Sequence, residues 1–122
     1  MKRILSLVLL VLSGSLAQGA PVQISYRTFH YACQGGQQVS VAYANFGKDG
    51  PMFAVLTWKG QRYALAEAIS ASGARYAGLN GPAGARGGLE WWEHQGEGTL
   101  STFVNGDTTH TKTLLSGCKV RR

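Results

Sequence analysis

Three carboxylates stand close together late in the chain, Glu90, Glu93 and Glu97, and a pair of carboxylates across a sugar is what glycosidic hydrolysis requires. Their setting argues against that chemistry. Leu89 to His94 reads LEWWEH, a strand register in which Leu89, Trp91 and Glu93 share one face and Glu90, Trp92 and His94 the other. Glu90 and Glu93 therefore point apart, and all three carboxylates are expected as solvated surface charge. His30, His94 and His110 are isolated and lack the spacing of a metal-ligand set. Ser72 beside Gly73 has the look of a nucleophile, but the glycine-x-serine-x-glycine elbow is missing and spacing supplies no acid–base partner. A serine selected for a tight turn is the plainer reading. No metal, cofactor or catalytic centre is expected, which leaves binding. One of Trp91 and Trp92 is expected in the core and the other exposed, where an indole can stack on a sugar ring. A small barrel that takes carbohydrate or another small ligand is thus one function class.

These residues lie in the stretch Ile69 to Leu100, which reads as a displayed hairpin. Ser70 to Gly73 are small enough for a tight exposed bend, and Arg75 and Tyr76 lead from it into a glycine-rich loop through Gly78 to Gly88. Structural roles are expected for both: the arginine bonds loop carbonyls and the tyrosine packs its ring inward. Around this stretch the chain reads as strands. Val22 to Cys33 alternates, with Thr28 as the place where a break would fall; Val39, Val41 and Tyr43 mark a second strand; Met52 to Trp58 and Gln61 to Ala66 flank a Lys59-Gly60 turn. Asn45 to Pro51 is a loop by its turn residues. Thr99 to Val104 and Thr108 to Leu115 flank Asn105-Gly106, the strongest hairpin signal in the chain. With no sustained helical period, the fold expected is all-β: a small antiparallel β-barrel of about eight strands. Tyr31, Val41, Tyr43, Leu65, Tyr76, Trp91 and Leu100 are the core candidates.

Residues 1–17 read as a signal peptide: Lys2 and Arg3, the apolar run Ile4 to Leu12, then Ser15-Leu16-Ala17. The run falls short of the ~20 residues of a membrane helix, and no cysteine follows it closely, so no membrane anchor is expected. Residues 18–122 form one domain, periplasmic or secreted. Export makes a bridge between its two cysteines, Cys33 and Cys118, the expectation. Losing Lys2 and Arg3 leaves ten basic against six acidic residues, a net +4 in place of +6. The basic residues are scattered except at the tail, unlike the clustered groove of a nucleic-acid partner.

The run Ser70-Ala71-Ser72-Gly73-Ala74-Arg75-Tyr76, the pair ending in Trp92, then Glu97-Gly98-Thr99-Leu100, together with Tyr31-Ala32-Cys33 and Cys118, resembles the signature of the MliC/PliC family, bacterial inhibitors of c-type lysozyme. The resemblance implies an antiparallel β-barrel and a binding protein, not an enzyme. It implies that Ser72 and Gly73 sit in a loop that plugs the lysozyme cleft, where the serine and a lysine on the next strand meet the enzyme's catalytic carboxylates. Arg75, Tyr76 and Trp92 would support that loop. Two departures stand out. The family's lysine falls on His94 and its glycine on Gln95, and the loop from Gly78 to Gly88 is long. A lysine is charged throughout the working range, whereas histidine ordinarily titrates near ~6.5. Arg86, in the long loop, is the competing source of the cation, carried there by a flexible segment.

Overall fold

Alternating sequence and two-residue turns build this chain into a closed antiparallel barrel in which each strand pairs with the next. The computed structural model describes residues 24–48, 50 and 52–122. The expected signal segment 1–17 lies outside them, as do Val22 and Gln23 of the first strand and Asp49 and Pro51 of the following loop. The strands are β1 (Ile24–Ala32), β2 (Gln38–Phe46), β3 (Met52–Trp58), β4 (Gln61–Ala68), β5 (Ala74–Gly78), β6 (Leu89–His94), β7 (Glu97–Val104) and β8 (Asp107–Val120), with one short 3-10 turn at Gln34–Gly36. Lys59-Gly60, Gln95-Gly96 and Asn105-Gly106 each place two successive residues at positive φ. That is the two-residue hairpin turn whose twist matches the flanking strands.

Period-two alternation then decides what lies inside. Val39 and Val41 of β2, Ala54, Leu56 and Trp58 of β3, and Leu89 and Trp91 of β6 are buried together with Tyr31, Leu65, Tyr76, Leu100 and Leu115. Tyr43 is partly buried and packs against this cluster, so all seven expected core residues contribute to one core. Two details differ from the sequence reading. β1 runs unbroken through Thr28, because every residue from Ile24 to Ala32 pairs with β2. Ala74 to Gly78 is a strand and not merely the run-up to a loop: Arg75, Tyr76 and Ala77 pair with Trp92, Trp91 and Glu90 on one side, and with β4 on the other.

The barrel closes where β8 meets β1, and this seam is short. Only Tyr31 pairs with Val120 and Ala32 with Lys119, supplemented by Arg121 N donating to His30 O at 2.8 Å. The next rung of the seam is covalent: Cys33 is joined to Cys118 across 85 positions of sequence. A cross-link that spans most of the domain restricts the unfolded chain strongly, and here it also holds the least hydrogen-bonded junction. Replacing both cysteines with serine is expected to cost about 2–4 kcal/mol in urea unfolding, with amide-exchange protection falling first at Ala32 and Lys119. An unchanged unfolding midpoint would contradict this role.

Candidate functional site

The β4–β5 bend and the β6–β7 turn lie at the same end of the barrel, since β4 ends, β5 begins and β6 ends there. Gly73 brings them into contact. Its φ is +70°, and a methyl group in place of its hydrogen would stand 2.2 Å from the Glu93 carbonyl oxygen and 3.1 Å from both His94 Cβ and Trp92 Nε1. Only glycine allows the bend to lie this close to β6. Trp92 Nε1 donates to the Ser72 carbonyl at 2.8 Å, and Ser70 Oγ donates to the same oxygen. Arg75 ties the base of the bend: its Nε lies 2.6 Å from Glu90 Oε2 and its Nη1 donates to the Ile69 carbonyl at 3.3 Å.

Ser72 is thereby held by its main chain while its side chain stays exposed, and among the described residues its hydroxyl has no hydrogen-bond partner. His94, exposed at the end of β6, stands beside Gly73 on the outer face with Trp92, which is 39% exposed. Gln95 adopts φ +52°, a conformation that costs glycine nothing and other residues about 1 kcal/mol. The structure brings Ser72, Gly73, Trp92 and His94 together. Arg86 is elsewhere. It belongs to the loop that joins the other ends of β5 and β6, where it shares a cleft with Val104, Asn105 and Gly106 of the β7–β8 hairpin. Five strand residues separate that loop from His94. Nor is the loop a free tether: Ala85 is buried, and Ala85 N donates to Pro82 O, Gly88 N to Ala85 O, and Phe103 N and Thr102 Oγ1 to Gly88 O. The long loop packs at the far end of β6, against the β7–β8 hairpin.

Two of the three glutamates are not solvated charge. Glu90 is 6% exposed on the outer face, where the Arg75 guanidinium offsets its desolvation. Glu93 points into the barrel mouth, where its Oε2 accepts from Tyr43 OH at 2.5 Å and from Tyr31 OH at 3.1 Å; Tyr43 OH in turn accepts from Trp91 Nε1 at 2.8 Å. Burial, and then the neighbouring carboxylate, hold Tyr43 far above the ordinary phenol range, while burial pushes Tyr31 up to about 12. Both hydroxyls thus remain donors at any working pH. Period-two alternation already placed Glu93 on the face of Leu89 and Trp91; its phenolic partners sit 62 and 50 residues earlier and left no local signal. Glu97 is exposed, as expected. Among the described residues no three His, Cys, Asp or Glu side chains gather as a metal site would need.

Comparison with known proteins gives this geometry a context. The family model for MliC, membrane-bound lysozyme-inhibitor of c-type lysozyme, matches residues 31–109. A membrane-bound lysozyme inhibitor of C-type lysozyme from Cupriavidus necator is 33% identical over 95 residues, covering 78% of this chain and 66% of its own length. Lipoprotein LprI of Mycobacterium tuberculosis is 37% identical over 95 residues, covering 73% of this chain and 43% of its own length. The chain therefore spans about two thirds of the first of these relatives and under half of the second. The crystal structure of Pseudomonas aeruginosa MliC in complex with hen egg white lysozyme matches with a TM-score of 0.56 and 27% identity, over 87% of this chain and 92% of that one.

Proposed function

The chain belongs to the MliC family, and from that premise we propose that it is an exported inhibitor of c-type lysozyme that presents the Ser72 bend and the end of β6 to the enzyme's active-site cleft. The observation that carries the reading is the junction at Gly73, which brings the bend against His94 and Trp92 and holds Ser72 by its main chain with its side chain exposed, on a bend held by Trp92 and Arg75. A hydroxyl donates to a carboxylate, and an imidazolium does so with charge assistance. Rigidity matters, because a loop ordered before docking loses little conformational entropy when it binds. A relative whose structure is known was crystallised with hen egg white lysozyme, which names the first enzyme to test. Export through cleavage of residues 1–17 belongs to the same proposal.

Titration of the purified 18–122 domain against c-, g- and i-type lysozymes tests the reading, and inhibition of no c-type enzyme would overturn it. The competing carbohydrate reading has a place to act. A groove of about 350 Å³ runs beside Trp92, lined by Glu97, Thr99, Ser101 and Thr113. Saccharide binding that is lost in Trp92→Ala would favour that reading.

His94 and Arg86 now separate by position. His94→Lys, which places an ammonium at that position, should tighten inhibition by about 1 kcal/mol, roughly fivefold. Arg86→Ala, at the far end of the barrel, should leave inhibition unchanged. The reverse pattern in inhibition assays would place the cation on Arg86 instead.

A further inference from the structure

Period-two alternation turns every second residue of β1, β2 and β3 away from the core, and on this outer wall the two ends differ in polarity. Val41, Ala54 and Leu56 are buried, so their strand neighbours face outward, where the ladders set Tyr26 beside Ala44, Thr28 beside Ala42, and Ala42 beside Val55. Ala42, Ala44 and Val55 are short and half-buried. They form the floor of a groove of about 520 Å³, above which Ile24 and Tyr26, 57% and 76% exposed, stand as one wall. Phe46 and Phe53, edge to face at 5.1 Å, border the same end, since Phe46 pairs with Ile24 and Phe53 with Ala44. Toward the Lys59-Gly60 turn the lining changes to His30, Ser40, Thr57 and Arg62. His30 Nδ1 and Ser40 Oγ lie 2.8 Å apart, and among the described residues Arg62 has no ion-pair partner and no carboxylate lines the groove. An exposed apolar patch rimmed by polar groups marks a binding surface.

We propose that this groove holds a single-chain anionic amphiphile, its acyl chain along Ala42 and Ala44 and its carboxylate at Arg62. The occupant follows from charge and shape. A free guanidinium takes a carboxylate through parallel N–H bonds, whereas a cationic head would meet Arg62 with nothing to neutralise it. Sugar hydroxyls laid over Ala42, Ala44 and Val55 would lose water without gaining partners. The strand steps from Ile24 to His30 span ~20 Å, the reach of an acyl chain of about fourteen carbons. Because the floor lies below its walls, a flexible chain fills it where a flat bilayer surface or a second convex barrel would bridge over it. Ser72, Trp92 and His94 do not line this groove, so the site stands independently of the inhibitor reading.

The test uses dodecanoate below its micellar concentration as probe, with dodecyltrimethylammonium and butyrate at equal ionic strength as controls, and follows the methyl signals of Ala42, Ala44 and Val55 and the ring protons of Tyr26 by NMR. Saturable shifts are expected with dodecanoate, at least about tenfold weaker binding with the ammonium amphiphile, and none with butyrate, which has the charge but too little apolar surface. Arg62→Gln should weaken dodecanoate about tenfold and bring the two amphiphiles level. Ala42→Phe, a ring laid on the floor of a strand that suits aromatics, should abolish binding. Tyr26→Ala, at an exposed wall, should weaken it severalfold and serves with Arg62→Gln if the phenylalanine variant fails to fold. Absence of saturable shifts in the parent, or equal dodecanoate binding by parent and Arg62→Gln, would overturn the proposal. Phosphatidylglycerol vesicles that sediment parent and Ala42→Phe alike, with no dodecanoate binding, would give this face to a membrane instead. Self-association of the parent that is lost in Tyr26→Ala, again without dodecanoate binding, would give it to a second copy of the chain.

Discussion

Ser72→Tyr is expected to abolish inhibition of c-type lysozyme, by more than about a hundredfold, while leaving the barrel as stable as the parent. In the proposed docking a phenol ring at this bend is too large for a site that takes a hydroxymethyl group, and wrongly placed bulk at the centre of an interface costs several kcal/mol, with every ~1.4 kcal/mol a factor of ten. Stability is untouched for a local reason. The bond that organises the bend runs from Trp92 Nε1 to the Ser72 carbonyl, which any residue supplies, and the side chain is exposed. Ser72→Ala keeps the shape and loses only the proposed hydrogen bond to an enzyme carboxylate, so it should cost ~1 kcal/mol or somewhat more, roughly five- to tenfold in inhibition. Lysozyme assays give the first quantity, urea unfolding the second. A tyrosine variant that inhibits like the parent would remove Ser72 from the interface.

The legible parts of this fold were those specified within a few residues. Met52 to Trp58 and Leu89 to His94 announce themselves by continuous or alternating apolar pattern, and both strands have those limits. Asn105-Gly106 marks its own hairpin because only a few residue types tolerate two positive φ angles in succession. β5 was harder: Ala74 and Gly78 give its alternation nothing to show, and it is a strand because β4 and β6 pair with it on both sides. The face of Glu93 could be read, but its role could not. A carboxylate in a barrel mouth is tolerable only with donors, and these arrive from β1 and β2. Arg86 shows the opposite limit of reading by sequence separation. It precedes β6 by few residues, yet it enters that strand at Leu89 while the bend meets it at His94, so a short separation in sequence becomes the full length of a strand.

The largest stability effect should fall on Trp91 and Gly98, and the two should not act independently. Trp91 is completely buried, packs edge to face on Tyr31 at 5.0 Å, and donates to Tyr43 OH at 2.8 Å. Trp91→Ala is expected to cost about 3–5 kcal/mol, a large share of the stability of a small domain, and to leave the Tyr43 hydroxyl without that donor. Gly98, opposite Glu93 in the β6–β7 ladder, lies against the indole without needing unusual backbone. What it provides is room, since a methyl group there would lie 2.2 Å from Cη2 and Cζ2 of the indole. The neighbouring ladder between Gly98 and Leu100 already carries a register shift. Gly98→Ala in the parent must therefore displace a packed ring or the strand, at a cost of about 1–3 kcal/mol. In a Trp91→Ala background the same methyl enters the space the indole has left, and its cost should vanish or turn into a small gain. The double variant is then no less stable than Trp91→Ala alone, a coupling of 1 kcal/mol or more between residues in direct contact. Urea unfolding of the parent, both single variants and the double variant measures it; costs that simply add would mean that Gly98 is conserving something other than space for the indole, and that the core around Trp91 adapts more freely than its contacts indicate.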